Sequence, residues 1–323
     1  MACRKGKPLR TRGKSRIETA YGALYVHRFV YLALSAFRDI VMIHLQFITS
    51  PLISMKADYK RKGDIMTNIY ITEINVPYPE AADLHLKVSV GACRLKVTPG
   101  DGEAWVTGTY RHPSGVLPPR IVTEGGTVRI TQRRNVADLG GLFSGTPRYE
   151  LALGKARPYM LTLEVGASEG NFDLGGLPIN HLVIRQGAGK VDFDFSAPNP
   201  QVMGLLHIDA GAVDLGMKNL ANANFAEMRV GGGAAAYKFD FSGTLERDAQ
   251  VKITTGVSSV EIHVPASTAA KITSQSVLGG LDIGDGFTKK EGAFWTEAAL
   301  GGKTPVLTIH ANISVGSLLI RTT

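Results

Sequence analysis

Residues from about Ile71 to the C-terminus alternate between apolar and polar side chains in short runs, and a glycine interrupts the alternation at regular places. Period-two alternation predicts β-strands that bury one face. A glycine between two such runs permits a positive φ or a bulge that other residues resist. We therefore predict an all-β fold with structural turn glycines between paired strands. These are Gly91 (in LKVSVGACRLKV), Gly166 (LTLEVGASEGNFDL), Gly187 (LVIRQGAGKVDFDF), Gly211 (LHIDAGAVDL), Gly256 (VKITTGVSSVEIHV) and Gly316 (IHANISVGSLLI).

The spacing of these glycines indicates an internal repeat. A looser copy, MRVGGGAAAYKFDF, centres on Gly232, and from Gly166 to Gly256 the successive steps are 21, 24, 21 and 24 residues. Repeats of this length are typical of solenoids, in which each unit buries its apolar face against its neighbours. We predict a β-solenoid-like repeat domain over residues 151–323. An ordinary β-sandwich of irregular hairpins is the alternative.

Residues 66–150 follow the pattern less closely. They contain alternating runs around Gly91 and Trp105, a Pro-rich stretch and a long loop. An open solenoid end exposes strand edges that invite aggregation. We therefore predict that residues 66–150 form a small N-terminal β subdomain that caps the first repeat.

Three segments resemble a known family. Residues 149–195, 251–283 and 309–320 are similar to the toast-rack domain at the C-terminus of LiaF-like cell-wall-active-antibiotic response proteins, and β-solenoids of candidate adhesins share the same pattern. The resemblance extends from Ile71 to Ile320. It implies a β-solenoid and a role in sensing or regulating cell-envelope stress, without catalytic residues. The chain departs from that family because it lacks the cluster of N-terminal membrane spans.

The charge of the chain is unevenly distributed. Residues 1–65 hold 13 of the 36 Lys and Arg residues but only 4 of the 28 Asp and Glu residues, so the net charge of +8 comes entirely from this segment. The remainder interleaves acidic and basic residues along the same strands, and their fields should cancel beyond about 8 Å at physiological salt. The repeat region thus lacks the basic footprint of a nucleic-acid-binding protein, and we expect no nucleic-acid partner.

Residues 1–65 differ from the rest of the chain. Lys62, Gly63 and Asp64 can be encoded by a purine-rich stretch that resembles a ribosome-binding site just before Met66. We therefore expect these residues to be an untranslated leader of a protein that begins at Met66. The alternatives are a disordered tail or a weak membrane anchor through residues 17–55, whose apolar run is interrupted by charges. Two widely separated cysteines match no redox or metal motif, which favours a cytoplasmic location.

Motifs that carry chemistry are mostly missing from the sequence. The segment Gly301–Thr304 (GGKT) lacks the earlier glycine of a phosphate-binding loop and runs directly into Pro305. The scattered Asp and His residues fit a solvated strand face better than a metal site. Cys93 lies in an alternating run and fits a buried structural thiol. We therefore predict no catalytic residues, no cofactor, no metal and no small-molecule substrate.

The function predicted from the sequence is that of a non-enzymatic bacterial binding or regulatory module. We expect its role to be in the cell-envelope stress response. We expect a protein partner or self-association. The alternative is a self-assembling, structural or adhesin-like β-solenoid that stacks end to end. A third hypothesis is an enzyme that uses Arg133, Arg134 and Tyr149 in the 133–150 loop, although a basic loop more often forms a partner contact.

Overall fold

The computed structural model of the protein describes residues 69–113, 117–132 and 146–323. All of them lie in one compact unit, Met66–Thr323. The predictions for residues 1–65 fall outside the described residues. None of the helices in the described ranges has the length and apolar character needed to span a bilayer.

Seven long strands form the centre of the fold. Each is 15 to 17 residues long and pairs with its neighbours in parallel. Parallel strands need a return connection, and along most of this sheet short segments of chain bring each strand back beside the previous one. In spatial order the strands are β8 (Tyr159–Asp173), β9 (Ile179–Asp194), β10 (Met203–Lys218), β11 (Phe225–Asp240), β12 (Ala249–Val264), β16 (Val306–Thr322) and β13 (Ala269–Ile283).

Every long strand consists of two arms that meet at a corner. In β10, the buried residues of the first arm are Leu206 and Ile208, whereas those of the second arm are Leu215 and Met217. The buried positions therefore change parity at Gly211, where two consecutive residues are exposed. Because side chains alternate along a strand, this change allows both arms to turn their apolar faces to one continuous core.

The N-terminal strands extend the two arms separately. Strand β2 (His85–Val90) pairs with the first arm of β8, and β3 (Cys93–Pro99) pairs with the second arm. Strands β2 and β3 thus correspond to the two arms of one further long strand, with Gly91 at its corner. We call each such two-armed unit a rung of the ladder. From there the first-arm sheet continues through β6 to β5, and the second-arm sheet through β7 and β4 to β1. The remaining strands are β1 (Ile69–Val76), β4 (Val106–Pro113), β5 (Arg120–Glu124), β6 (Thr127–Thr131) and β7 (Arg148–Leu153).

The C-terminal end combines an insertion with a change in strand order. Strand β16, the last in the sequence, pairs between β12 and β13. The chain between β13 and β16 forms β14 (Phe287–Lys290), β15 (Ala293–Thr296) and the short helix α1 (Glu297–Leu300). Strand β15 pairs with the beginning of β13 at Lys271 and Ile272, so this insertion covers the end of the first-arm sheet.

The prediction of an all-β, solenoid-like repeat fold with a small N-terminal β portion is confirmed. The predicted boundary between the N-terminal subdomain and the repeats, at 150/151, falls inside β7. Strands from both sides of that boundary join one sheet because β2 and β3 are themselves a rung of the ladder.

Candidate binding face

The predicted turn glycines mostly occupy one column across the ladder. The strand registers place Gly91 beside Gly166, and Gly187 and Gly211 follow at the same level. Two positions differ from the sequence alignment. Gly233, and not Gly232, lies between Gly211 and Gly256. The registers place Ser314 at the corner of β16, and Gly316 lies two residues beyond it, beside Ser258.

Close approach of the backbones explains the glycines of this corner column. A Cβ on Gly187 would lie 2.9 Å from the carbonyl oxygen of Gly166, and one on Gly211 would collide with the carbonyl oxygen of Gly187. The backbone of Gly187 lies outside the left-handed region, so the close approach of the neighbouring strand, and not a positive φ, requires glycine there. Gly316 does have a positive φ, of 141°.

The outer surface of the second arms carries paired charges. At several places a basic residue on one rung forms an ion pair with an acidic residue on the next rung. Such exposed pairs add little stability but neutralise the surface. The pairs are Arg94–Glu169 (3.1 Å), Lys190–Asp214 (3.2 Å), Lys238–Glu261 (3.3 Å) and Arg321–Asp282 (2.8 Å).

The first arms of β2, β8 and β9 hold a half-buried carboxylate. Glu164 accepts hydrogen bonds from Lys87 (2.7 Å), Ser89 (2.8 Å) and Arg185 (2.9 Å). Partial burial acts to raise the pKa of Glu164, but these hydrogen bonds together outweigh it, so the pKa lies below its usual value. This network ties three rungs together.

Towards the C-terminal end, the first-arm surface carries no carboxylate. The outward positions of β12, β16 and β13 are all lysine, histidine or neutral polar residues. We call this surface the carboxylate-free face. Its members are Gln250, Lys252, Thr254, Thr308, His310, Asn312, Lys271, Thr273 and Gln275.

The side chains of the carboxylate-free face are held by their neighbours. The His310 Nδ1 lies 2.6 Å from the Thr273 hydroxyl. The Lys271 ammonium sits 4.9 Å from the centroid of the Trp295 ring, a cation–π contact that holds the charge near the surface. Lys252 is exposed and in register with His310. The face therefore offers two ammonium groups among hydrogen-bonding side chains, and the one of Lys271 is held by Trp295.

The charges on the carboxylate-free face are all positive, contrary to the expectation that interleaved acidic and basic residues cancel on each strand. Lys252 and Glu261 are close in sequence, but they lie on different arms of β12, on either side of the corner at Gly256. The corner therefore separates charges that alternate along the chain. The expectation of no nucleic-acid partner stays a prediction.

The residues considered for catalysis do not form a site among the described residues. Tyr149 is fully buried in β7 with its ring 4.4 Å from that of Tyr110, and burial raises its pKa. Arg133 and Arg134 lie outside the described residues. Burial likewise raises the pKa of Cys93 to about 12. In the described ranges no cluster of His, Cys, Asp or Glu could hold a metal ion, and Gly301–Thr304 follow α1 instead of preceding a helix.

The asparagines of the return segments form structural hydrogen bonds that were not predicted from the sequence. The Asn199 amide donates to the carbonyl oxygens of Ile179 (2.7 Å) and Ala223 (3.3 Å). The Asn224 amide donates to the carbonyl oxygens of Asn199 (3.2 Å) and Gln201 (3.0 Å). These bonds join consecutive return segments. These contacts could have been predicted from the recurrence of asparagine between the strands, as in APNP and NLANAN.

Comparison with known proteins identifies the domain. Residues 64–204 match the family model described as the N-terminal domain of toast_rack, DUF2154. No curated protein matches the chain. Among solved structures, a candidate cell adhesion protein from Clostridium sporogenes is 17% identical over 79% of this chain and 100% of its own, with a TM-score of 0.41. A candidate adhesin from Bacteroides fragilis is 11% identical over 79% of this chain and 97% of its own, with a TM-score of 0.42.

The family model and the ladder of glycine corners agree on the domain type. The chain therefore carries a toast-rack domain, whose N-terminal part lies within residues 64–204.

Proposed function

We propose that the protein is a non-enzymatic binding module that acts in the cytoplasm to regulate the cell-envelope stress response. The observation that carries this proposal is the carboxylate-free face, where the first arms of three adjacent strands, β12, β16 and β13, present lysines and no carboxylate. The regulatory role follows the resemblance to LiaF-like proteins. The partner that fits the face is the acidic surface of another protein.

The geometry suits recognition of an extended partner. Neighbouring strands lie about 4.8 Å apart, so Lys252, His310 and Thr273 present their side chains at regular intervals on one surface. Carboxylates of a partner can pair with the lysines, while the amides and hydroxyls around them supply hydrogen bonds. Electrostatic complementarity of this kind contributes orientation and association rate more than raw affinity.

A reporter strain tests the proposal. The gene is deleted in its host, and transcription from a promoter induced by cell-wall-active antibiotics is measured after complementation with each variant. The wild-type protein should restore the response, whereas the charge-reversed variant Lys252→Glu/Lys271→Glu should leave it at the level of the deletion strain. A like-charge contact with an acidic partner costs several kcal/mol, which is enough to abolish binding.

The matched control is Lys96→Glu/Lys218→Glu, which reverses two exposed lysines on the second arms. This control should restore the response as well as the wild type does. Thermal unfolding establishes that both double variants are folded. An unchanged response in the deletion strain would overturn the regulatory role. Full activity of Lys252→Glu/Lys271→Glu would overturn the assignment of the binding face.

A self-assembling or adhesin-like solenoid is a second candidate function. It is favoured by the apolar side chains exposed at both ends of the second-arm sheet, among them Ile69 and Leu278. Its test is the association state of the pure protein.

A further inference from the structure

The second-arm sheet ends in a free strand edge. Residues 278–283 of β13 pair with β16 on one side, and no strand of the described residues pairs with their other side. In a parallel ladder alternate residues direct their N–H and C=O groups to opposite sides. Part of the backbone of residues 278–283 is therefore available to another strand. The first arm of the same strand is covered, since β15 pairs with it at Lys271 and Ile272.

The free edge of β13 carries exposed apolar side chains. Leu278 is 64% exposed and Leu281 is 46% exposed. Leu281 is in register with Leu318, which is only 4% exposed. The position of Leu281 therefore belongs to the core, and it is exposed because the ladder ends there. One more strand beside β13 would bury it.

The opposite end of the same sheet has a matching edge. Among the described strands β1 pairs only with β4, and Ile69, Tyr70 and Ile71 are 69%, 50% and 60% exposed. Because β4 runs antiparallel both to β1 and to β7, β1 runs in the same direction as β7 and all seven long strands. A β1 strand placed beside β13 would therefore continue the parallel ladder without a change of direction.

The two edges of the first-arm sheet carry charges. Strand β14 exposes Lys289 and Lys290, and β5 exposes Arg120 and Glu124. Charged residues on edge strands oppose pairing with another chain. Each second-arm edge carries one exposed charged residue, Asp282 in β13 and Glu73 in β1, whereas each first-arm edge carries two. Edge pairing is therefore less opposed on the second arms.

We propose that β13 of one copy pairs in parallel with β1 of a second copy, so that the protein associates head to tail through its second-arm sheet. The contact is heterologous, since it uses two different edges, and it can repeat. Addition of a strand to a free edge draws affinity from main-chain hydrogen bonds and specificity from side chains, here the exposed leucines and isoleucines. This proposal does not rest on the proposed regulatory function.

Sedimentation velocity of the full 323-residue chain tests the proposal. The wild type is measured at concentrations up to about 100 µM, a range that detects micromolar association. Two edge variants are compared with it, Leu278→Lys/Leu281→Lys on β13 and Ile69→Lys/Ile71→Lys on β1. A matched control, Val202→Lys/Val257→Lys, changes two exposed valines away from both edges.

The expected pattern is specific to a head-to-tail contact. The wild type and the valine control should form species larger than a dimer as the concentration rises, and each edge variant alone should stay monomeric. An equimolar mixture of the two edge variants retains one intact pair of edges. It should therefore form dimers and nothing larger, and this outcome also shows that both variants are folded.

Three outcomes would overturn the proposal. The first is a wild-type chain that stays monomeric over the whole concentration series. The second is self-association of the Ile69→Lys/Ile71→Lys variant into dimers, which would indicate a symmetric contact between two β13 edges. The third is a mixture of folded edge variants that stays monomeric.

Discussion

At the corners of β9 and β10, little more than a hydrogen atom fits beside the carbonyl group of the neighbouring strand. Gly187 stacks on Gly166, and Gly211 stacks on Gly187, with no room for a methyl group between them. The requirement for glycine thus arises from contact between rungs and not from backbone dihedral angles.

We predict that Gly211→Ala lowers the free energy of unfolding by about 1–3 kcal/mol, because the added Cβ collides with a backbone carbonyl that cannot move alone. The control is Gly102→Ala, in an exposed turn where a Cβ has no neighbour within 4 Å. It should change stability by no more than about 0.5 kcal/mol. Urea denaturation of both variants gives the comparison, and equal effects would contradict the stacking of the corner glycines.

Glu164 provides a pH-dependent contribution to stability. Its pKa in the folded protein lies below the usual value, since the hydrogen bonds from Lys87, Ser89 and Arg185 outweigh the effect of partial burial. A lowered folded-state pKa stabilises the protein above the unfolded-state pKa, and this stabilisation is lost as the pH falls through the folded-state value. We predict that Glu164→Gln costs about 1 kcal/mol at pH 7, a figure reduced by solvent screening.

The cost of Glu164→Gln should shrink as the pH falls below the unfolded-state pKa of a glutamate, about 4.3, towards the lowered pKa of Glu164 in the folded protein. Denaturation at a series of pH values measures it. Glu169→Gln is the matched control, because Glu169 forms a single exposed pair with Arg94 and should contribute about 0.5 kcal/mol or less. A cost for Glu164→Gln that stays constant from pH 7 to pH 3 would contradict the role of the ionised carboxylate.

The strands with their corners are the elements that organise charge. Each long strand presents its polar residues on two outer surfaces, one for each arm. Lys252 and Glu261 therefore face different surroundings although nine residues separate them. Alternation in the sequence predicts the strands and the corner glycine, but it does not show that each strand has two separate outer surfaces. The carboxylate-free face could be found only once the corner was known to divide the strand.

The return segments depend on buried asparagine. Asn199 is 4% exposed and pairs with the carbonyl oxygens of Ile179 and Ala223. We predict that Asn199→Ala lowers the free energy of unfolding by about 2–3 kcal/mol, because buried carbonyl groups lose their donors. The exposed Asn171→Ala is the control, with a change of about 0.5 kcal/mol or less. Chemical denaturation measures both, and a small effect at Asn199 would rule out a structural role for these bonds.

At the scale of the whole domain, the described residues form a ladder whose interior rungs have two neighbours and whose end rungs have one. The stability of such an array is a sum of contributions from each rung and from each contact between rungs. We predict that amide hydrogens of residues 278–283 exchange faster in dilute solution than those of residues 205–210, which lie between two strands. Hydrogen–deuterium exchange with mass spectrometry measures this difference.

The dependence of hydrogen exchange on protein concentration tests the proposed contact between copies. If β13 pairs with β1 of another copy, exchange in residues 278–283 should slow as the protein concentration rises, whereas residues 205–210 should be unaffected. Equal protection of the two segments in dilute solution would mean that another part of the chain covers the edge of β13.

The amino-acid sequence by itself determined the all-β class, the strand pattern and most of the corner column. These follow from local properties, namely period-two alternation and the steric freedom of glycine. The tertiary structure decided which residues share a level, because register depends on how much chain each return segment consumes. It therefore placed Gly233 at the corner and Gly316 beyond it. It also decided the insertion of β16 before β13, which left the free edge, because pairing between distant strands follows the shape of the core and not their order in the chain.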